Sequence, residues 1–259
     1  MLAAVADHRE TLSLEEIERF SGGSRATARR LAYDLVRKHW LQRLRRGQYL
    51  VNKPELGPEA VADTDPFRSG SRLVAPYYFG YATAAELLGL LPQAGRQYYV
   101  VTTSPDRPVV RHAAEFRFVH VVPARFFGLR PWVRRGEPIV ISNLERTVLD
   151  CLYRPDLSGG MGGAVRVLSV ASRTMEWPRL AAYLRRFGDR SLAWRFGHLT
   201  ETRGLAPPRW LESLAPTRED PYAPLGPPGR YGRRGRRSAR WHVIENVPAA
   251  DLLAELEVR

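Results

Sequence analysis

SLEEIERFSGGSRATARRLAYDLVRKHWLQRLRRGQYLV, residues 13–51, reads as helix, break, helix and hairpin. Leu14, Ile17 and Phe20 recur at i, i+3 and i+6, the spacing of a short amphipathic helix. Ser13 followed by Glu16 predicts a capping box at its start. Ser21-Gly22-Gly23 breaks it, and Ser24 is placed to cap a second helix over about Arg25 to His39. Ala28, Leu31, Leu35 and the stem of Lys38 fall on one face of that helix. Ala26, Arg29, Arg30, Tyr33 and Arg37 fall on the other. Trp40 to Leu44 and Gln48 to Val51 then read as two strands joined at Arg45-Arg46-Gly47, a two-stranded wing.

The charge changes sign along this stretch. Residues 1–24 carry two Arg against five acids, whereas residues 25–53 carry nine Lys and Arg against Asp34 alone. A basic outer helix face followed by a basic hairpin is the electrostatic footprint of a nucleic-acid binder. A helix of this kind docks in the major groove, where Arg can grip guanine through two acceptors. The expected DNA contacts are Arg25, Thr27, Arg29, Arg30, Tyr33 and Arg37 on the helix, with Arg43, Arg45 and Arg46 on the wing. The last three would reach backbone or minor groove. A winged helix used for protein contacts, with solvated arginines, is the alternative.

The remainder reads as an α+β body. The proposed division is a winged helix-turn-helix domain at 1–55, a Pro/Gly-containing connection at 56–71 and a larger domain at 72–259. Extended segments are expected at 73–74, 77–79, 97–103, 115–122 and 139–141. Thr83 with Glu86, and Ser142 with Glu145, look like further capping boxes opening helices. Residues 164–215 read mainly helical, 216–240 irregular, 241–244 as a late strand and 249–258 as a short helix. Arg146 and Asp150 form an i, i+4 pair with a structural role. The aromatics Tyr77, Tyr78, Phe79, Tyr81, Tyr98, Tyr99, Phe126, Phe127 and Trp132 are expected to build core. A second basic run, Arg230, Arg233, Arg234, Arg236, Arg237 and Arg240, is read either as a partner-binding surface or as a solvated loop.

Composition narrows the chemistry. The chain has 259 residues, 40 Lys and Arg against 27 Asp and Glu, and a net charge of +13. Hydrophobic residues at 44% suffice for a packed core. Lysine occurs only as Lys38 and Lys53, and neither lies in a P-loop, a kinase signature or an ExK nuclease motif. The single Cys151 excludes an internal disulfide, and with nothing to act as its base it reads as a small core residue. Six His show no metal-ligand spacing; His112 and His120 stand eight apart. Gly159-Gly160-Met161-Gly162-Gly163 is read as a helix N-cap loop, not a dinucleotide fingerprint. No run of 18 apolar residues exists, and the N-terminus lacks a basic segment before an apolar one. A cytoplasmic, non-enzymatic protein without metal or cofactor is expected.

The winged head is followed by RLVAPYYFGYATAAELLGL (72–90), QYYVVTTSPDRP (97–108), FRFVHVVPARFFG (116–128) and ISNLERTVLDCLYRPDLSGG (141–160), with a late RWHVIENV (240–247). In this order the blocks resemble the AbiEi antitoxins of type IV toxin–antitoxin systems. The resemblance implies a head that binds inverted repeats in the promoter of its own operon and represses it, as a monomer or cooperative dimer on DNA. It implies a second domain that neutralises a nucleotidyltransferase-like toxin, with or without a stable complex. Without such a toxin, a winged-helix regulator whose second domain binds a ligand or partner is the alternative.

Overall fold

Hydroxyl and carboxylate side chains set the first two helices. In the computed structural model, which describes residues 11–38, 40–45, 47–51, 65–92, 97–105, 115–205 and 209–253, β1 (Thr11–Ser13) leads directly into α1 (Leu14–Ser21). Ser13 Oγ accepts from Glu16 N–H and Glu16 accepts from Ser13 N–H, the predicted capping box. Gly22, at φ +64°, ends the helix in the left-handed conformation that glycine adopts without strain. Ser24 Oγ accepts from Thr27 N–H and opens α2 (Arg25–Arg37). The hairpin of β2 (Leu41–Arg45) and β3 (Gln48–Val51) carries a register shift between Arg43 and Arg45. β1 pairs with β3, a strand that sequence reading missed. Leu12, Leu14, Ile17, Ala28, Ala32, Leu35, Leu41, Tyr49 and Val51 make the core of this head. Two positions differ from expectation. Ala32, not Leu31, completes the buried stripe of α2 at i, i+4 and i+7, while Phe20 lies 43% exposed.

The chain divides into two compact units, Met1–Ala75 with Ser104–Phe116, and Pro76–Thr103 with Arg117–Arg259. Part of the expected connection is helical: Asp65 caps α3 (Pro66–Ser71) and Phe67 is buried. Residues 56–64 of that connection lie outside the described residues, and residues 73–74 are turn and bend, not strand.

In the second unit a five-stranded sheet has the order β6 (Glu115–His120), β5 (Gln97–Thr102), β4 (Tyr77–Phe79), β8 (Glu137–Ser142), β7 (Leu129–Arg134). β4 runs parallel to β8 and antiparallel to β5, while β7 and β8 form an antiparallel hairpin. β7 was not anticipated. Pro131 cannot donate to a sheet ladder, which demotes the segment in any sequence reading, yet an edge strand tolerates it. The helices are α4 (Tyr81–Leu87), α5 (Leu144–Tyr153), α6 (Gly160–Ala171), α7 (Trp177–Phe187) and α8 (Arg190–Thr202). A small sheet follows, β10 (Arg236–Ser238), β11 (Val243–Glu245) and β9 (Ala223–Pro224), with α9 (Pro228–Tyr231) and α10 (Ala249–Leu253) beside it in sequence. Residues 216–240, expected to be irregular, are mainly turn and bend, interrupted by the short β9, α9 and β10. The α+β assignment holds.

Two expected capping boxes are corrected. α4 begins at Tyr81 behind Gly80, and Thr83 Oγ1 instead accepts from Tyr99 N–H at 2.8 Å, tying the helix to β5. A Cβ at Gly80 would lie 2.9 Å from the Tyr78 ring and from a Val101 methyl, so a side chain at the cap would push these buried groups aside. At α5 the cap is Asn143, whose Oδ1 accepts from Arg146 N–H at 3.0 Å. Ser142 hydrogen-bonds Thr147 Oγ1, and Glu145 is buried and accepts from Glu176 N–H at 2.8 Å, linking α5 to the start of α7.

The centre of this unit is charged. Arg146 and Asp150, each 1% exposed, pair at 2.9 Å between Nε and Oδ1. Arg146 also donates to Tyr78 Oη at 3.1 Å, and Tyr78 donates to Asp150 Oδ2 at 3.3 Å. The Arg146 guanidinium lies 4.5 Å from the Phe127 ring centre and 5.2 Å from that of Phe187. Burial raises the Asp150 carboxyl and, further, the Tyr78 hydroxyl above their ordinary values, against the pull of Arg146. Cys151 is a core residue, its thiol pushed up to about 12 by burial. The glycine run is the expected helix start: Gly159 takes φ +77°, and a Cβ at Gly163 would lie 1.8 Å from the Ser158 carbonyl.

Removing one member of a buried pair strands the other charge, at a cost of about 3–5 kcal/mol. Arg146→Met is therefore expected to lower unfolding free energy by that amount in urea titration. Arg146→Met with Asp150→Leu should recover most of it. A single variant within about 1 kcal/mol of the parent contradicts this reading.

Candidate nucleic-acid interface

The two capped helices and the hairpin fix one outward surface on the head. Ala28, Ala32 and Leu35 hold α2 against the core, so the opposite residues face solvent. Arg25, Ala26, Thr27, Arg29, Arg30, Asp34, Arg37 and Lys38 are all exposed, and Tyr33 stands 66% exposed. A single exposed tyrosine is ordinary by itself; among these arginines its hydroxyl is placed for a phosphate or sugar contact.

Arg25, Arg29, Arg30 and Arg37 make no ion pair with any acid among the described residues. Asp34 is the one carboxylate on this face, so the surface is strongly positive. Thr27 is partly committed: its hydroxyl lies 3.1 Å from Ser24 Oγ within the cap. Its backbone N–H is satisfied by Ser24, so Thr27 both stabilises the helix start and lines the surface.

The wing is positioned by the core. Leu14 N–H donates to the Gly47 carbonyl at 2.7 Å, joining the start of α1 to the hairpin turn. Tyr49 is buried beneath it, and Arg43 is exposed. The Arg45 side chain and Arg46 lie outside the described residues. The helix and the described part of the hairpin belong to one small body, so Arg43 shares a frame with the α2 arginines. Such an arrangement suits phosphate contacts from the wing and base-edge contacts from the helix.

The second basic run is sorted differently. Arg230, Arg236 and Arg240 pair with acids, whereas Arg233, Arg234 and Arg237 do not among the described residues. Among the described residues no group of His, Cys, Asp or Glu is arranged to hold a metal. His120 bonds the Thr103 carbonyl, and His112 lies outside the described residues. No described helix is long and apolar enough to cross a membrane.

Residues 1–45 match the model of the IclR helix-turn-helix domain. The head is a helix-turn-helix DNA-binding domain. The match ends with β2 and leaves β3, α3 and the second unit unassigned. No curated protein matches the chain. The whole chain is similar in fold to the RV2827C protein from Mycobacterium tuberculosis, with a TM-score of 0.68 and 17% identity, over 98% of this chain and 92% of that one. That likeness establishes a shared fold across both units.

Sequence reading missed β1 and the buried Ala32. The signal for Ala32 was present in the i, i+4, i+7 spacing of 28, 32 and 35. β1 had none, since its three residues are held only by β3.

Arg29→Ala should weaken binding to a specific site by about 1–3 kcal/mol and relax base preference if it reads a base. Equal loss on all duplexes, measured by fluorescence anisotropy, would make it a phosphate contact. With about four to six phosphate contacts, log K against log salt should fall with a slope near −4 to −5. A flat response contradicts DNA binding by this face.

Proposed function

We propose that the protein is a winged-helix autorepressor and antitoxin. The observation that carries the reading is the exposed set Arg25, Arg29, Arg30 and Arg37, without acidic partners among the described residues, around Tyr33 on a helix capped by Ser24. That surface supplies operator binding. The head recognises inverted repeats in the promoter of its own operon, as a monomer or cooperative dimer.

The antitoxin half is carried by the resemblance to the AbiEi proteins. Its blocks build the interior of the second unit: FGYATAAELLGL gives part of β4 and α4, QYYVVT gives β5, and ISNLERTVLDCLY gives the end of β8 and α5 with the Arg146–Asp150 pair. A shared interior supports a shared fold. Its surface, not that interior, meets the partner. The partner is a nucleotidyltransferase-like toxin encoded beside this gene. Neutralisation proceeds without catalysis by this chain, in the cytoplasm, with no metal or cofactor.

Growth rescue tests this. Cells expressing the neighbouring gene should stop growing, and the full-length protein supplied from an unrelated promoter should restore growth. Arg29→Ala with Arg30→Ala should abolish repression of a promoter–reporter fusion while retaining rescue. Rescue lost in step with repression would mean that the antitoxin effect is transcriptional. No rescue by a folded, expressed parent would leave a plain regulator.

A further inference from the structure

Residues 228–240, PGRYGRRGRRSAR, hold six arginines and no acid, yet the fold does not treat them alike. Arg236 makes a bidentate pair with Glu245 at 2.8 and 3.0 Å. Arg240 bonds Glu201 at 2.9 Å and Glu212 at 3.4 Å, and Arg230 lies 3.6 Å from Asp251. These three fasten the segment to its own unit. Arg233, Arg234 and Arg237 are exposed and have no acidic partner among the described residues.

The backbone carrying the free three is held in place. Asn246, 8% exposed, donates to the carbonyls of Gly226 at 3.1 Å and Gly232 at 2.7 Å, and accepts from Gly226 N–H at 2.9 Å. Gly235 packs so closely on Glu245 that a Cβ there would lie 2.3 Å from its carbonyl oxygen. Arg237 lies 5.2 Å over the Tyr222 ring, which stacks on His242 at 4.5 Å. His242 Nδ1 is in turn anchored on the Asp220 carbonyl at 2.8 Å. A solvated loop needs none of this. Arginines presented on a fixed backbone lose less conformational freedom on binding.

We infer that Arg233, Arg234 and Arg237 form a docking surface for the acidic face of a folded protein partner. Nucleic acid fits it less well. Tyr222 already carries His242 and Arg237, and Tyr231 lies beneath Arg230 with its hydroxyl donating to Asp251. Neither ring is open for base stacking. Glu212, Glu245 and Asp251 stand beside the neighbouring arginines, where a continuous phosphate chain meets like charge. Separate carboxylates on a protein surface can pair with three guanidiniums and avoid the acids, and such complementarity fixes register. Naming the partner as the neighbouring toxin rests on the proposed function; the chemistry of the surface does not.

The test uses the full-length protein with Arg233→Glu and Arg234→Glu, which leaves Arg237 on Tyr222. A control, Arg173→Glu with Arg185→Glu, makes the same charge change at two exposed arginines elsewhere. Three probes are titrated: the purified neighbouring gene product, a labelled oligoglutamate peptide and a promoter duplex. The 233/234 variant should lose at least tenfold in affinity for the gene product and for the peptide, the control less than threefold. Duplex affinity and salt slope should stay unchanged. Equal loss in variant and control, or none, overturns the surface. A duplex salt slope shallower by about 1.8, two phosphate contacts, assigns it to nucleic acid and also overturns it. If the gene product fails to bind the parent protein while the peptide result holds, the toxin partner is wrong and the acidic-partner surface stands.

Discussion

The buried pair of Arg146 and Asp150 is the constraint around which the second unit is arranged. A guanidinium at 1% exposure needs its charge matched and its donors met; here Nε and Nη2 are bonded, while Nη1 has no hydrogen-bond partner among the described residues and faces the aromatic rings instead. Asp150 supplies the charge, Tyr78 from β4 bridges both partners, and the rings of Phe127 and Phe187 flank the plane. Those contacts join α5 to the central strand, to the loop before β7 and to α7. A Cβ at Gly128 would lie 2.8 Å from Arg146 Cβ, so the chain before β7 passes directly over the arginine. The ion pair lies within α5; the Tyr78 hydroxyl and the two rings are what fix β4, the loop before β7 and α7 against it.

The same residue type serves opposite ends elsewhere. Arg125 and Arg186 extend the aromatic stacking outward, at 4.3 Å from Phe187 and Phe127 respectively. Arg230, Arg236 and Arg240 fasten the small C-terminal sheet to neighbouring acids. Against these stand the arginines that the fold leaves without acids, on the outer face of α2 and at Arg233, Arg234 and Arg237. A net charge of +13 says little about partners by itself. What separates the arginines is whether a carboxylate stands beside them.

The head was legible because its signals are local. A serine with a glutamate three residues on, a glycine pair and an alternating hairpin each act within a few residues, and all appear at α1, α2 and the wing. The second unit was less legible because tertiary contacts redirect the same side chains. Thr83 and Ser142 looked like caps, but β5 claims the hydroxyl of one and Thr147 that of the other. Arg146 and Asp150 had the spacing of a surface pair, and nothing nearby in sequence signals their burial. Residues 216–240 looked irregular, and their turns and short elements are held by Asn246, Glu245 and His242, further along the chain. The sorting of the second arginine run needed the positions of acids up to 39 residues away, from Glu201 to Arg240.

The most direct measurement is hydroxyl-radical footprinting of the full-length protein on the DNA upstream of its own gene. Protection of an inverted repeat is predicted, with half-sites about one helical turn or a multiple apart and cleavage protected where α2 enters the major groove. Arg29→Ala with Arg30→Ala should erase the footprint while the protein stays folded. Uniform weak protection across the fragment, unchanged by that variant, would contradict sequence-specific binding by this face.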